Sequence, residues 1–202
     1  MEAVIKPEAG KVKKIRKAHK VQKEKHYTYA DYCKWPDDER WELIDGRPYA
    51  MAPAPGSFHQ SVSGEIYFQL KQFLRGKVCK AYISPLDVRL NADTKDNTVV
   101  QPDVLVVCDP SKIDEKGCVG APDMVVEVLS PSSLRHDRLI KFNKYLEAGV
   151  REYWIVDPES KTVSAHILKD GAYITSVYSD EDTAPVHVLE SCNIDLGEVF
   201  ST

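Results

Sequence analysis

The sequence predicts an α/β (α+β) domain, and three features predict it. The run DMVVEVLS at 123–130 is apolar on both faces apart from one Glu, the pattern of a strand buried in the middle of a sheet. A helical segment at 132–148 and a second apolar run, REYWIVDP at 151–158, follow it, and strand, helix, strand in that order makes a parallel crossover. Asp45-Gly46 and Asp170-Gly171 each separate two apolar runs and so mark an N-terminal and a C-terminal β-hairpin.

The elements follow in order along the chain. Residues 1–26 form a basic arm, helical or disordered, and 27–202 form the domain. Thr28 caps a short helix through Tyr29–Trp35, which Pro36 and the acidic run Asp37-Asp38-Glu39 end. Strands are expected near 41–44 and 47–51. After Pro53 and Pro55, with Ser57 as N-cap, the helical spacing of Val62, Ile66, Phe68, Leu70, Phe73 and Leu74 predicts a helix from about 58 to 75, up to Gly76. Two β-rich stretches, 78–90 and 98–108, flank the polar turn Asn91–Asn97, and a loop then runs through Pro110 and Gly117–Gly120. Pro131 stops the buried strand, Ser132 or Ser133 caps the helix that follows, and Gly149 closes it. After the second hairpin come one or two short strands and a terminal turn.

With 202 residues the chain suits one domain plus an appendage. No apolar run approaches the roughly 18 residues that span a bilayer, and the first residues lack the apolar stretch of a signal peptide, so a cytoplasmic protein without membrane partners is expected. The five cysteines, Cys33, Cys79, Cys108, Cys118 and Cys192, are dispersed and never spaced as Cys-x-x-Cys; they read as reduced thiols, mostly in the core. The net charge of -4 hides an asymmetry, since residues 1–26 hold nine Lys or Arg against three Glu. Within that arm Lys13, Lys14, Arg16 and Lys17 are candidate phosphate contacts, and the competing reading is a solvated tail.

An ionised carboxylate in an apolar strand is expensive unless it is paired or ligates a cation. Glu127 is such a group. Asp103 opens a second apolar strand directly after Pro102, and if the two strands are neighbours both carboxylates can reach one hard cation such as Mg2+, with Mn2+ a substitute. Against this stand an ion pair between Glu127 and a basic residue of the next helix, and a turn or capping role for Asp103. Asp137, Lys141 and Tyr145 fall four apart on one helical stripe, so Lys141 can point over the sheet to orient or activate water, or can pair with Asp137 at the surface. Lys144 competes with Lys141 as the active cation and is also a candidate nucleic-acid contact. Glu42 and His59 are weaker candidates, assisting from the rim as carboxylate and as base or phosphate contact. The other histidines, His26, His136, His166 and His187, show no metal-ligand spacing, and phosphate-loop, dinucleotide and Gly-x-Ser-x-Gly fingerprints are absent.

These segments together resemble the Uma-two family of the PD-(D/E)XK nuclease superfamily over about residues 28–200. The matching signatures are WELIDGRPY at 41–49, the His59 helix, QPDVLVV at 101–107, VVEVLSPSS at 125–133, the Asp137, Lys141, Tyr145 spacing and GVREYWIVDP at 149–158. The resemblance implies a restriction endonuclease-like central mixed sheet flanked by helices, with Asp103 and Glu127 as the motif acids. Where the superfamily motif has a lysine two positions after the Glu, this chain has Leu129; the similar family commonly carries that lysine on the following helix, where Lys141 stands. A Mg2+-dependent endonuclease acting on DNA, or on RNA, is the function implied, with a homodimer as its assembly. The alternatives are a non-catalytic nucleic-acid-binding or assembly protein on the same fold, and an enzyme on that scaffold acting on another phosphate ester or a small molecule.

Overall fold

Two chain segments that are buried at every position, Val104–Val107 and Met124–Val128, set the centre of the molecule. The computed structural model describes residues 25–36, 39–51, 56–130 and 136–201. In chain order these form α1 (Tyr29–Tyr32), β1 (Trp41–Ile44), β2 (Arg47–Ala50), α2 (Ser57–Phe73), β3 (Lys80–Ile83), β4 (Val88–Arg89), β5 (Val99–Val100), β6 (Val104–Val107), β7 (Ile113–Asp114), β8 (Gly117–Val119) and β9 (Met124–Val128). A π-helical segment His136–Lys141 leads into α3 (Phe142–Ala148), followed by β10 (Glu152–Asp157), β11 (Thr162–Lys169), β12 (Ala172–Ser179), β13 (Thr183–Pro185), β14 (Asn193–Asp195) and α4 (Leu196–Phe200).

The main sheet is mixed, with order β12-β11-β10-β9-β6-β3. Its one parallel pair is β9 with β10, as the crossover pattern predicts; every other pairing is antiparallel. One face carries Val104, Val106, Met124, Val126, Val128, Trp154 and Val156 against Val62, Ile66 and Leu70 of α2. Each such side chain taken out of water contributes roughly 1.5–3 kcal/mol, and the helical spacing of 62, 66 and 70 is what lets one helix cover the face. The other face carries Leu105, Val125, Tyr153 and Ile155 and packs against Tyr145 of α3 and against Ile44, Val88 and Val100.

Those last residues belong to a second six-stranded sheet, order β2-β1-β5-β4-β8-β7, which the sequence reading does not anticipate. The expected β stretches 78–90 and 98–108 are each divided, β3 from β4 and β5 from β6, and the halves join different sheets. The expected loop at 110–120 contains the hairpin β7–β8. The helix expected at 29–35 stops at Tyr32; Thr28 and Asp31 form its reciprocal capping box. The long helix starts at Ser57 with Gly56 as its N-cap instead of Ser57. The expected start of the next helix at 132–135 lies outside the described residues, as do Lys13, Lys14, Arg16 and Lys17 of the arm.

Both predicted hairpins form. Asp45 and Gly46, and likewise Asp170 and Gly171, take positive φ at both turn positions, as a tight two-residue hairpin turn requires. Cys79 and Cys108 are joined in a disulfide, which corrects their reading as reduced thiols. The pairing of Lys80 with Val107 brings the residues just outside that pair together, a juxtaposition that spacing along the chain does not encode. Cys118 and Cys192 are buried free thiols, Cys33 an exposed one. No described helix is long and apolar enough to cross a membrane.

On β11, His166 sits among Phe142, Tyr153 and Tyr173, with Nδ1 at 2.7 Å from Thr175 Oγ1. Burial holds its pKa down at about 4, against 6.5 for an ordinary imidazole. As pH falls from 6.5 towards 4 the unfolded chain takes up a proton that the folded chain does not, so this residue removes stability across that window, on the order of 3 kcal/mol, and no more below it. His166→Phe is therefore expected to lose less stability than the parent between pH 7 and pH 4.5 in urea unfolding. An equal loss in both proteins would show that the imidazole titrates normally.

Candidate active site

Glu127 is 3% exposed near the end of β9, where its charge needs a partner. Its Oε1 accepts from Lys141 Nζ at 2.9 Å and from the Tyr145 hydroxyl at 2.7 Å. Lys141 Nζ also lies 2.8 Å from Glu42 Oε1, and the same oxygen accepts from the Gln101 backbone N–H at 2.9 Å. A row of buried polar groups, Glu42, Lys141, Glu127 and Tyr145, thus joins β1, the helical segment after β9, β9 itself and α3. Lys141 and Tyr145 reach one oxygen because residues four apart lie on one face of a helix. Lys141 is 4% exposed, so it is a buried cation and not a surface one, and the ion pair expected between Glu127 and the next helix forms; the side chain of Asp137 lies outside the described residues. Glu42 is likewise buried within the row and not on a rim, at 3% exposure. Burial and the neighbouring Glu127 carboxylate together hold the Tyr145 phenol far above its ordinary pKa, so it stays a donor.

Asp103 is placed by a proline. The antiparallel register of β6 with β9 pairs Val104 with Val126, and two residues further it sets Pro102 across from Val128. Proline has no N–H to give, so the ladder stops there. Val128 N–H donates instead to Asp103 Oδ2 at 2.8 Å, and Val128 C=O lies 2.8 Å from His59 Nε2. His59 Nε2 is also 3.4 Å from Asp103 Oδ2. Facing a carbonyl and a carboxylate, Nε2 carries the proton, and through it His59 holds the Asp103–Val128 junction. The same register brings Asp103 next to Glu127, so the two acids stand on neighbouring segments where β6 begins and β9 ends.

Lys144 does not join them. It pairs with Asp45 at 2.8 Å and Glu147 at 2.6 Å, on the outside of the molecule. Between the competing lysines, Lys141 is the one that reaches Glu127.

The row extends past Glu42 through residues the sequence reading leaves out. Gln101 Nε2 donates to Asp87 Oδ1 at 2.8 Å and lies 3.3 Å from the Tyr32 hydroxyl, which itself donates to Asp87 at 3.1 Å. Burial pushes the Asp87 carboxyl up, partly offset by these hydrogen bonds. Asp87 sits in a short irregular segment without periodicity, which hid it; Gln101 opens the QPD motif and was visible there without a role. A surface cleft lined by Leu90, Lys112, Asp123, Gly149 and Arg151 among others lies beside the start of β9, at the end away from Glu127.

Among the described residues no three His, Cys, Asp or Glu side chains are grouped as a ready metal cluster. The donors that are present nevertheless suit a hard divalent cation. They are oxygens only, Asp103 and Glu127 with the adjacent strand backbone, and two carboxylates, Glu42 and Glu127, face the one ammonium of Lys141 that reaches Glu127.

A family model described as "Uma2: Putative restriction endonuclease" matches residues 29–197. An uncharacterized protein of Synechocystis sp., slr1290, is 30% identical over 156 residues, covering 75% of this chain and 80% of that protein. Among solved structures, a "putative nuclease belonging to DUF820" from Anabaena variabilis superimposes with a TM-score of 0.69 at 21% identity, over 86% of this chain and 97% of the other. At that identity the likeness concerns the fold.

Removing the Tyr145 hydroxyl deprives a buried carboxylate of a donor without changing the shape of the ring. Tyr145→Phe is expected to cost about 1–3 kcal/mol in urea unfolding. A change under about 0.5 kcal/mol would mean that the hydroxyl does not support Glu127.

Proposed function

Since the chain belongs to the Uma2 family, we propose that it is an endonuclease that hydrolyses phosphodiester bonds of DNA with the help of Mg2+ or Mn2+. The observation that carries this reading is the contact of 2.9 Å between Lys141 and Glu127, which supplies from a helix the cation that Leu129 does not supply from the strand. Asp103 and Glu127 would hold the ion. When bound, it supplies neutralising charge at the phosphodiester and lowers the pKa of water.

The chain's own groups do the rest. Lys141 orients the attacking water and offsets the negative charge that builds on the phosphate in the transition state. Tyr145 and Gln101 fix the carboxylates of Glu127 and Glu42 so that neither reorients during the reaction. His59 keeps Asp103 against the end of β9. The basic arm, with Lys13, Lys14, Arg16 and Lys17, would follow the phosphate backbone and add affinity that weakens with salt. A homodimer would bring two such sites to the two strands of a duplex.

Supercoiled plasmid incubated with Mg2+ or Mn2+ tests the reading. Nicking is expected with the parent protein, none with chelator, and a loss of at least about 100-fold in rate with Glu127→Gln or Lys141→Met, each checked for folding by circular dichroism. Undiminished nicking by Glu127→Gln would remove this site from the reaction. A folded parent that binds DNA or RNA and cuts neither would favour the non-catalytic binding protein.

A further inference from the structure

Arg40, just before β1, stands beside the candidate centre in an unusual setting for a surface arginine. Its side chain is exposed, yet it is held by neutral groups: Nη2 and Nε donate to Gln101 Oε1 at 2.6 and 3.3 Å, and Nη2 to Ser84 Oγ at 3.3 Å. No carboxylate among the described residues lies within ion-pair distance of it. The guanidinium is placed there by the same side chain that connects to the acids. Because Gln101 Nε2 donates to Asp87, its amide oxygen must face the other way, and that oxygen is what fixes Arg40. The other support, Ser84, donates its backbone N–H to the carbonyl of Asp103.

Asp87, on the far side of Gln101, feels the charge of Arg40 but makes no ion pair with it, so an exposed cation tied to neutral acceptors is left open to an incoming anion, and its two Nη1 hydrogens have no acceptor among the described residues. The guanidinium fork matches the oxygens of a phosphate. Around it the acids of the centre repel a polyanion, so a strand that reaches Asp103 and Glu127 needs a fixed positive anchor at the approach.

From this arrangement we infer that Arg40 binds a backbone phosphate of the nucleic-acid strand next to the bond at the Asp103–Glu127 centre, an inference that rests on the nuclease reading of that centre. Gln101 then has two roles, orienting Glu42 through its backbone and Arg40 through its side chain. Arg40 positions substrate and takes no part in proton transfer.

The test is the salt dependence of binding of a fluorescein-labelled 20-base-pair DNA duplex, followed by anisotropy in EDTA and again in calcium. The parent is compared with Arg40→Gln and Arg40→Lys. A lost phosphate contact lowers the magnitude of the slope of log K against log salt by about 0.9, and Arg40→Gln is expected to do so with about tenfold weaker binding near 0.1 M salt. Arg40→Lys, which keeps the charge, is expected to keep the slope. A residue that merely braced the fold would lower the melting temperature and leave the slope alone. If Arg40→Gln binds with the parent's slope while the parent binds and nicks DNA, the assignment of Arg40 falls and the nuclease reading stands. If the folded parent binds no duplex in either buffer and cuts nothing, both fall together.

Discussion

The architecture turns on one buried carboxylate. Glu127 occupies a position in β9 whose neighbours on the same face are Val125 and Leu129, and an unpaired charge there would cost several kcal/mol. Its satisfaction needs Lys141 and Tyr145 from the segment that crosses back over the sheet, and Lys141 in turn needs Glu42 from the second sheet. Three separate pieces of chain are therefore held in register by a polar requirement inside an apolar interface. Replacing such a row with hydrophobic residues is often neutral or stabilising, so stability alone gives little reason to keep it. Its presence fits a site kept for chemistry.

A second constraint comes from a missing donor. Pro102, with no N–H, ends the ladder between β6 and β9 and leaves the Val128 carbonyl to a side chain, while the Val128 N–H goes to Asp103. Asp103 and His59 meet that need, which places an acid and an imidazole at the end of β9 beside Glu127. The Pro-Asp pair is thus a device of the backbone in its own right. Farther out, a buried carboxylate at the start of β10, Glu152, is satisfied by Trp154 and by the backbone of Val188, and has no link to this site.

What could be read from the sequence is what local chemistry encodes. The Asp-Gly turns, the strand around Glu127, its parallel partner and the stripe that carries Lys141 and Tyr145 all follow from spacing over a few residues. The second sheet could not be read this way, because β4 and β5 are two residues each, too short for any periodicity. The Cys79–Cys108 bond and the place of Asp87 depend on strand pairings between distant segments, and the buried position of Glu42 depends on how the two sheets stack. The helix stripe points to the lysine that reaches Glu127, but the π-helical winding from His136 to Lys141 is a tertiary outcome that spacing does not announce.

That the ammonium and the carboxylate ride on different elements sets how the site comes apart. β9 is locked between β6 and β10 at the middle of the main sheet, so its amides should open only with the whole domain. The segment that brings Lys141 is one short helix with a π-helical entry, closed by Gly149 in the left-handed conformation. It can leave the sheet in a sub-global opening that parts Lys141 and Tyr145 from Glu127 and leaves the strands paired. The fraction of molecules with an assembled site is then governed by the docking equilibrium of that helix, which can be much smaller in free energy than the stability of the fold.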